Sequence, residues 1–261
     1  MPSLLAIGSD PEYFIASSET GGPVAPKEAR IPGNKRAPKA LMCGGKIHRD
    51  NACLELNIIP ARTADELVNN MLAPKEEAEL FYLRPFNNFL SDMQFLYIPE
   101  EWTRWKEIVM FGCDPSIDCW EIEQNTGFDS MNLFRSAGGH VHISYEGQTQ
   151  EQSVRIARIL DIKLGLKYST LKERDNPRRN WYGSSGQMRF TPYGLEYRTL
   201  SNKWTLSETS IKDVFDICKD TVENFDGYFD ILAKEYTGKQ IKELFYRGTD
   251  EEVMACLSKF S

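Results

Sequence analysis

Polar and apolar residues alternate along several short segments of the chain, a pattern typical of strands with one buried face. Segment 4–16 predicts a strand, a polar bend and a second strand. Further strands are expected at 51–60 and 136–145, and segment 187–200 predicts two short strands joined by a turn at 192–194. Strands are therefore expected in four separate segments between residues 4 and 200.

Helical patterns occupy the stretches between and after these strands. Thr63-x-x-Glu66 and Thr149-x-x-Gln152 are capping boxes, and each predicts the start of a helix. Pro74 is expected to begin a second helix at its first turn, since a proline lacks only an N–H that would be unsatisfied there. The segment 205–261 predicts C-terminal helices, and residues 112–115 predict a turn.

Intermixed strands and helices, with a polar face on each strand, predict the fold class. Parallel strands buried on both faces would be continuously apolar, so an antiparallel α+β sheet with helices on one face is expected. The length of 261 residues suits a single domain spanning 1–261. Within it, the Gly- and Pro-rich basic segment 17–50 is predicted to be a long loop, and it is a candidate lid or substrate clamp.

Composition excludes several classes of function. The formal net charge of −7 argues against general nucleic-acid binding, which requires a basic surface. No run of about 18 apolar residues exists, so no transmembrane helix is expected. The six cysteines form no CxxC pair, and the N-terminus lacks the pattern of a signal peptide, so thiols in a reducing cytoplasm are expected.

Four predicted strands each carry two polar residues at i and i+2, which places both on one face of a strand. The pairs are Asp10 with Glu12, Glu55 with Asn57, His140 with His142, and Glu196 with Arg198. If these faces converge, they form a cavity of carboxylates and imidazoles that requires a cation, because buried like charges repel. Oxygen-rich ligation with one or two histidines suits Mg²⁺ or Mn²⁺. A plain α+β domain with unrelated polar strands would require four coincidences of spacing.

Positive charge precedes the last of these strands in the sequence. A Gly-rich stretch, 183–186, lies among basic residues, namely Lys172, Arg174, Arg178, Arg179, Arg189 and Arg198. Guanidinium groups bind phosphate oxygens, so carboxylates for Mg²⁺ beside arginines indicate a nucleoside triphosphate. The chain has no Walker GxxxxGK[ST], no GxGxxG opening a helix after a strand, and no GxSxG.

Taken in order, five segments resemble one family. They are GSDPEYFI, GGKIHRDNACLELNIIPA, GCDPSID, RSAGGHVHIS and RRNWYGSSGQMRFTPYGLEYRTLSNKW, which together span residues 6–204. The chain resembles the bacteriophage-type carboxylate–amine ligases (COOH.NH2 ligase-type 2) of the glutamine synthetase and glutamate–cysteine ligase superfamily. The resemblance implies a curved antiparallel sheet with helices on its convex face, ATP and divalent ions on its concave face, and a location in the host cytoplasm.

The resemblance also implies residue roles. Metal ligation is expected from Asp10, Glu12, Glu55, His140 and Glu196; binding of ATP from Arg179, Arg189, Arg198 and His142; and catalytic roles from Arg198, Glu12 and Glu55. Two positions depart from the family pattern. Asp10 is shorter than the usual glutamate, and Asn57 stands where larger members carry a second acid.

The expected reaction is ATP-dependent formation of an amide or peptide-type bond through an acyl phosphate, with release of ADP and phosphate. The expected partners are a small-molecule carboxylate and an amine, such as amino acids or peptides, and oligomer formation stays open. Two alternatives remain: a guanidino-type phosphotransferase on the same fold, and a nucleotide-binding protein without turnover.

Overall fold

The structure, a computed structural model, describes residues 2–109, 116–124 and 133–261. The turn predicted at 112–115, with Cys113, lies outside the described residues. Cys43, Cys119, Cys218 and Cys256 are free thiols.

The strands are short, and their pairs are antiparallel within the described residues. In chain order they are β1 (Leu4–Ser9), β2 (Glu12–Tyr13), β3 (Ile15–Ser17), β4 (Pro23–Val24), β5 (Lys39–Ala40), β6 (Lys46–Asp50), β7 (Cys53–Asn57), β8 (Asn88–Leu90), β9 (Phe95–Tyr97), β10 (Ile117–Asp118), β11 (Glu123–Gln124), β12 (Phe134–Ser136), β13 (Val141–Tyr145), β14 (Gln187–Thr191) and β15 (Gly194–Tyr197).

The helices lie mainly in the C-terminal half. They are α1 (Ala64–Ala78), α2 (Lys106–Val109), α3 (Gln150–Leu160), α4 (Glu208–Glu235), α5 (Gly238–Arg247) and α6 (Asp250–Leu257). Two of them continue as π-helix: α1 through Glu79–Leu83 and α3 through Asp161–Lys172. No helix among the residues described combines the length and the apolar character that crossing a membrane requires.

These strands form several sheets, whereas the sequence predicted one. A six-stranded sheet has the order β1-β13-β15-β14-β10-β11, and a four-stranded sheet has the order β2-β7-β6-β5. A three-stranded sheet (β4-β3-β8) and a β9–β12 pair complete the set. The chain passes from the first sheet to the second at Asp10 and Pro11, because a proline cannot donate to a strand ladder.

Helices cover one face of the six-stranded sheet, and the expected α+β class is confirmed. Ile143, Leu195 and Tyr197 point from β13 and β15 into a core that also contains apolar residues of α1, α3 and α4. Because strand residues alternate in direction, His142 and Glu196 lie on the opposite face. The packing of the helices therefore leaves the polar face of this sheet available for a site.

Two local predictions were wrong. Segment 17–50 is not a loop throughout, since Lys46–Asp50 forms β6 and pairs with β7. Pro74 lies inside α1 rather than at the start of a second helix. The apolar face of α1 continues across the proline with Leu67, Met71 and Ala78, and burial of that face outweighs the lost backbone hydrogen bond.

The core of the six-stranded sheet should set the stability of the fold. Leu195→Ala removes a fully buried side chain of β15 and should lower the free energy of unfolding by about 2–5 kcal/mol in urea titrations. Leu5→Ala, on β1 and 44% exposed, is the matched control and should change it by only about 0.5 kcal/mol. Equal effects of the two substitutions would contradict this arrangement of the core.

Candidate active site

Strand register places polar side chains in a row across the six-stranded sheet. His142 of β13 lies opposite Glu196 of β15, and Glu196 lies opposite Arg189 of β14. Arg189 donates from Nε to Oε2 of Glu196 at 2.8 Å. Glu196 is fully buried, so this carboxylate is held between its neighbours away from bulk water.

Asp10 joins this row at the end of β1. Its Oδ1 lies 3.1 Å from Nδ1 of His140 and 3.3 Å from Nε2 of His142. Nδ1 of His140 lies 3.4 Å from Oε1 of Glu196, and Nε of Arg198 lies 3.3 Å from the same oxygen. The structure thus brings together six of the predicted site residues on one sheet face: Asp10, His140, His142, Arg189, Glu196 and Arg198.

The other two predicted acids come from the neighbouring four-stranded sheet. Glu12 of β2 is paired directly with Glu55 of β7, and both are buried. The Gly138 amide donates to Oε2 of Glu12 at 2.7 Å. A Cβ at Gly138 would lie 2.7 Å from Nε2 of His140 and 3.3 Å from Oε2 of Glu12, so a side chain at this position would displace the His140 ring from its place in the site.

A functional candidate that the sequence analysis missed is His48 on β6. His48 is paired with Glu55, and its Nε2 lies 3.5 Å from Oε1 of that carboxylate. Asp50 is the next residue on the same face of β6, so His48 and Asp50 form a fifth polar pair at i and i+2. That spacing was visible in the sequence, but the strand was assigned to a loop.

The electrostatics of the cluster are those of crowded buried acids. Burial, together with the charges of Asp10 and Glu12, raises the pKa of Glu55 well above its usual range. Burial also raises the pKa of Glu12. Burial would raise the pKa of Asp10 too, but His142 and His140 outweigh it and hold that pKa well below its usual range.

The residues present fit a divalent cation. Two groups each offer three ligand atoms that lie within 4.8 Å of one another: Asp10, His142 and Glu196, and His48, Asp50 and Glu55. Oδ1 of Asp10, Nε2 of His142 and Oε1 of Glu196 are buried. Charged groups lie 3.1–3.4 Å from these atoms, but none of these contacts has the geometry of a hydrogen bond. Oxygen and imidazole donors left unsatisfied in this way match the preferences of Mg²⁺ or Mn²⁺.

A cavity of about 460 Å³ opens beside Asp10 and His142. Nδ1 of His142 lies 2.7 Å from the Tyr193 hydroxyl oxygen at its wall. Ile58, Pro60 and the ring of Tyr193 give its lining an apolar part, and Asp10, Asn57 and His142 are among its polar groups. Its size and mixed lining are those of a small-molecule site.

The two adjacent arginines of the 177–180 turn lie in different surroundings. Arg179 packs over the ring of Phe245 at 4.9 Å and donates to the Arg174 carbonyl oxygen, so it is not brought together with the carboxylates. Arg178 has Glu12 and Arg198 among its electrostatic neighbours. The sequence analysis assigned a binding role to Arg179 alone.

Asp161, also missed, supports the site from behind the sheet. This fully buried carboxylate accepts hydrogen bonds from the Trp120 indole, the Ser185 hydroxyl, the Gly186 amide and the Tyr197 hydroxyl, at 2.6–2.8 Å. Tyr197 stands between Glu196 and Arg198, so Asp161 fixes the strand that presents both. No short motif in the sequence marks this residue.

A family model for the phage phiEco32-like COOH.NH2 ligase-type 2 proteins matches residues 108–261. The chain belongs to this family. Comparison with curated proteins and with solved structures finds no match.

The COOH.NH2 ligase match includes His140, His142, Glu196 and all the arginines of the site, but not the N-terminal acids. The structure joins the two halves, because Asp10 contacts both histidines. The family name describes a carboxylate–amine ligase, and the site lies where this matched segment meets the N-terminal strands.

Asp161→Asn should destabilise this ligase without touching the polar face. The substitution replaces one carboxylate oxygen with an amide NH2 group, which faces the indole, hydroxyl and backbone N–H donors around position 161. The free energy of unfolding should therefore fall by about 1.5–3 kcal/mol in urea titrations. Asp230→Asn, on the surface of α4, is the control and should leave stability unchanged. A neutral effect of Asp161→Asn would show that this hydrogen-bond network does not support the strand.

Glu55 should make the metal-free protein less stable as pH rises. Because its pKa is raised in the folded state, the folded state binds this proton more tightly, and the stabilisation is lost as pH rises through the raised pKa. Glu55→Gln resembles the protonated acid, so its stability relative to wild type should increase from about pH 5 to about pH 8 in urea titrations with chelator. The exposed substitution Glu76→Gln is the control. If the stability difference between Glu55→Gln and wild type changes as little with pH as that of the control, the raised pKa of Glu55 is contradicted.

Proposed function

We propose that the protein joins a carboxylate to an amine, with ATP as phosphoryl donor and an acyl phosphate as intermediate. The observation that carries this proposal is a group of three ligand atoms, from Asp10, His142 and Glu196, in a chain of the COOH.NH2 ligase family. These atoms are buried and make no hydrogen bond of good geometry among the described residues. The ligase fold that we propose has a glutamine synthetase-like curved sheet, with this polar face on its concave side.

Mg²⁺ is the cation that we propose, with Mn²⁺ as a substitute. Asp10, His142 and Glu196 would hold it on the six-stranded sheet, with His140 beside Asp10 and Glu196. Glu12 and Glu55 would do so on the four-stranded sheet. The site also includes His48 and Asp50, which share a possible ligand group with Glu55. When bound, the cation supplies positive charge that neutralises the phosphates of ATP.

ATP is proposed to bind from the side of the 460 Å³ cavity. Tyr193 and Pro60 offer apolar surface to a base, and His142 lies between this cavity and the carboxylates. Arg189 and Arg198 flank Glu196 and point donors to the same region, where they can bind phosphate oxygens. In this proposal the cavity binds the base of ATP, and the guanidinium groups of Arg189 and Arg198 bind its phosphates.

The reaction then needs two transfers. A carboxylate oxygen of the substrate attacks the γ-phosphorus and ADP leaves, and the guanidinium of Arg198 stabilises the charge of the moving phosphoryl group. The amine nitrogen next attacks the acyl carbon, phosphate leaves, and the nitrogen loses a proton. Whichever of Glu12 and Glu55 does not hold the cation accepts this proton, since burial raises the pKa of both carboxyl groups.

The experiment that tests this function supplies ATP, Mg²⁺ and all pairs from a panel of amino acids and small peptides. ADP release that requires both a carboxylate and an amine, with an amide detected by mass spectrometry, is the expected result. ADP release with a guanidine acceptor and no amide would indicate a phosphotransferase. Nucleotide binding without turnover on any pair would indicate a binding protein.

Glu196→Gln should abolish this activity while the fold is retained. The substitution removes one negative charge that faces His140, Arg189 and Arg198, so turnover should fall at least about 100-fold in the ADP-release assay. Glu243→Gln, an exposed position on α5, is the control and should be fully active. Full activity of Glu196→Gln would place the chemistry elsewhere.

Arg198→Lys should also impair turnover, because a planar fork of donors is replaced by a point charge. Arg198 is buried and donates to the Tyr182 hydroxyl at 2.9 Å. A lysine ammonium has fewer donors, and water cannot enter this buried position to replace the lost hydrogen bonds. Loss of at least about 10-fold in kcat is expected. Unchanged kcat would remove the phosphoryl-binding role of Arg198.

A further inference from the structure

Arg178 is a buried guanidinium without a counter-charge at contact distance. Its side chain is 2% exposed, and no carboxylate among the described residues lies within 4.0 Å of it. Nη1 donates to the Thr199 carbonyl oxygen at 2.6 Å, whereas Nε and Nη2 are buried and have no hydrogen-bond partner in the described part of the chain. Since an unpaired buried charge is strongly unfavourable, this arrangement indicates an anionic ligand.

The two unpartnered donors lie on the same edge of the guanidinium plane. Nε and Nη2 point in parallel, which is the geometry that binds both oxygens of a carboxylate at once. The hydrogen bond to the Thr199 carbonyl oxygen fixes the position of the guanidinium plane, and Gly183 leaves the space that the guanidinium occupies. A Cβ at Gly183 would lie 2.0 Å from Nη1 of Arg178, so only glycine leaves room for the guanidinium.

The surroundings of Arg178 link it to the site. Burial lowers its pKa, Arg198 lowers it further, and Glu173, Glu12 and Tyr182 oppose this shift. Glu173 is already engaged, because its two oxygens accept from the Ser201 hydroxyl and the Asn176 amide, both at 2.7 Å. It therefore attracts Arg178 from a distance but does not fill the donor edge.

Arg179 offers a useful comparison. It has the same two donors without partners, but its plane lies over Phe245. The groups that shift its pKa besides burial are Arg174, Tyr246, Asp175 and Glu173, and Glu12 and Arg198 are not among them. An anion at Arg179 would be outside the site, whereas an anion at Arg178 would lie near Glu12 and Arg198.

Arg178 and the 460 Å³ cavity lie at opposite ends of the cluster. The cavity is lined by Asp10 and His142, and by Ser144 further along β13. In the antiparallel register, His142 lies opposite Glu196 and Ser144 lies opposite Gly194, so Arg198 follows Glu196 in the direction away from the cavity. Arg178 lies at that end, because it donates to the carbonyl oxygen of Thr199, the residue after Arg198. A phosphoryl group passes between a donor and an acceptor that are roughly in line with it, so the acceptor belongs at the Arg178 end.

We propose that Arg178 binds the carboxylate group of the substrate through Nε and Nη2, across the cluster from the nucleotide. This inference rests on the proposed function and adds the residue that selects for a carboxylate acceptor. Neutral acceptors would leave the buried guanidinium unpaired and would therefore be rejected.

The test compares Arg178→Gln and Arg178→Lys with the control Arg174→Gln, an arginine of the same loop that pairs with Asp250 on the surface. Each protein is first melted without ligand. It is then titrated by calorimetry with Mg²⁺ and a non-hydrolysable ATP analogue, and the resulting complex is titrated with the standard amino acids, succinate and glutarate.

Arg178→Gln should melt no lower than wild type, because it removes an unpaired buried charge, and it should keep the nucleotide affinity. Its affinity for the carboxylates that bind wild type should fall at least about 10-fold, with a smaller loss in Arg178→Lys and none in Arg174→Gln. A lower melting temperature with unchanged carboxylate affinity would indicate a structural role and overturn the proposal.

Two further outcomes would also overturn it. Loss of nucleotide affinity in Arg178→Gln would assign Arg178 to a phosphate of ATP, and no carboxylate binding by the wild-type nucleotide complex would remove the proposed ligand. Failure of the proposed function is distinguishable from both, because it is measured separately in the ADP-release assay, where wild type would then show no turnover that requires a carboxylate and an amine.

Discussion

Mutual repulsion among buried carboxylates is the constraint on which the rest of this structure depends. Glu12 and Glu55 face each other across two paired strands, and Asp10 and Glu196 lie beside them on the next sheet. The imidazoles of His140 and His142 offset part of this charge at Asp10. At Glu55, burial and the charges of Asp10 and Glu12 still raise the pKa well above its usual range. A folded chain with such a cluster requires protons or cations there, and ligand atoms without partners favour cations at neutral pH.

The fold holds this unfavourable cluster because the stabilising contacts lie elsewhere. Helices α1, α3 and α4 bury the apolar face of the six-stranded sheet, and Asp161 fixes β15 by four hydrogen bonds from behind. Backbone elements that are stabilised from one side can present strained polar groups on the other. The same division explains why an unpaired guanidinium at Arg178 is tolerated. The core contacts stabilise the fold enough to offset this unfavourable buried charge, and a bound anionic ligand would pair it.

Much of the fold and most of the site could be predicted from strand alternation, since i and i+2 share a face whatever the topology. That rule brought His140 and His142, and Glu196 and Arg198, to one surface. It could not show that Pro11 moves Glu12 to a second sheet, because sheet membership depends on distant pairing. His48 was missed because its strand lies in a segment rich in Gly and Pro. Arg178 and Arg179 lie in a short 3₁₀ turn, where neither helical nor strand periodicity predicts which way each side chain points.

The measurement that tests the central claim most directly is the anomalous scattering of Mn²⁺ in crystals of the protein grown with a non-hydrolysable ATP analogue. The account predicts a peak within coordination distance of Asp10, His142 and Glu196, with the phosphates of the analogue on the side of Arg189 and Arg198. Manganese bound only by exposed surface acids, with hydrogen bonds among the protein groups filling the cluster, would contradict it.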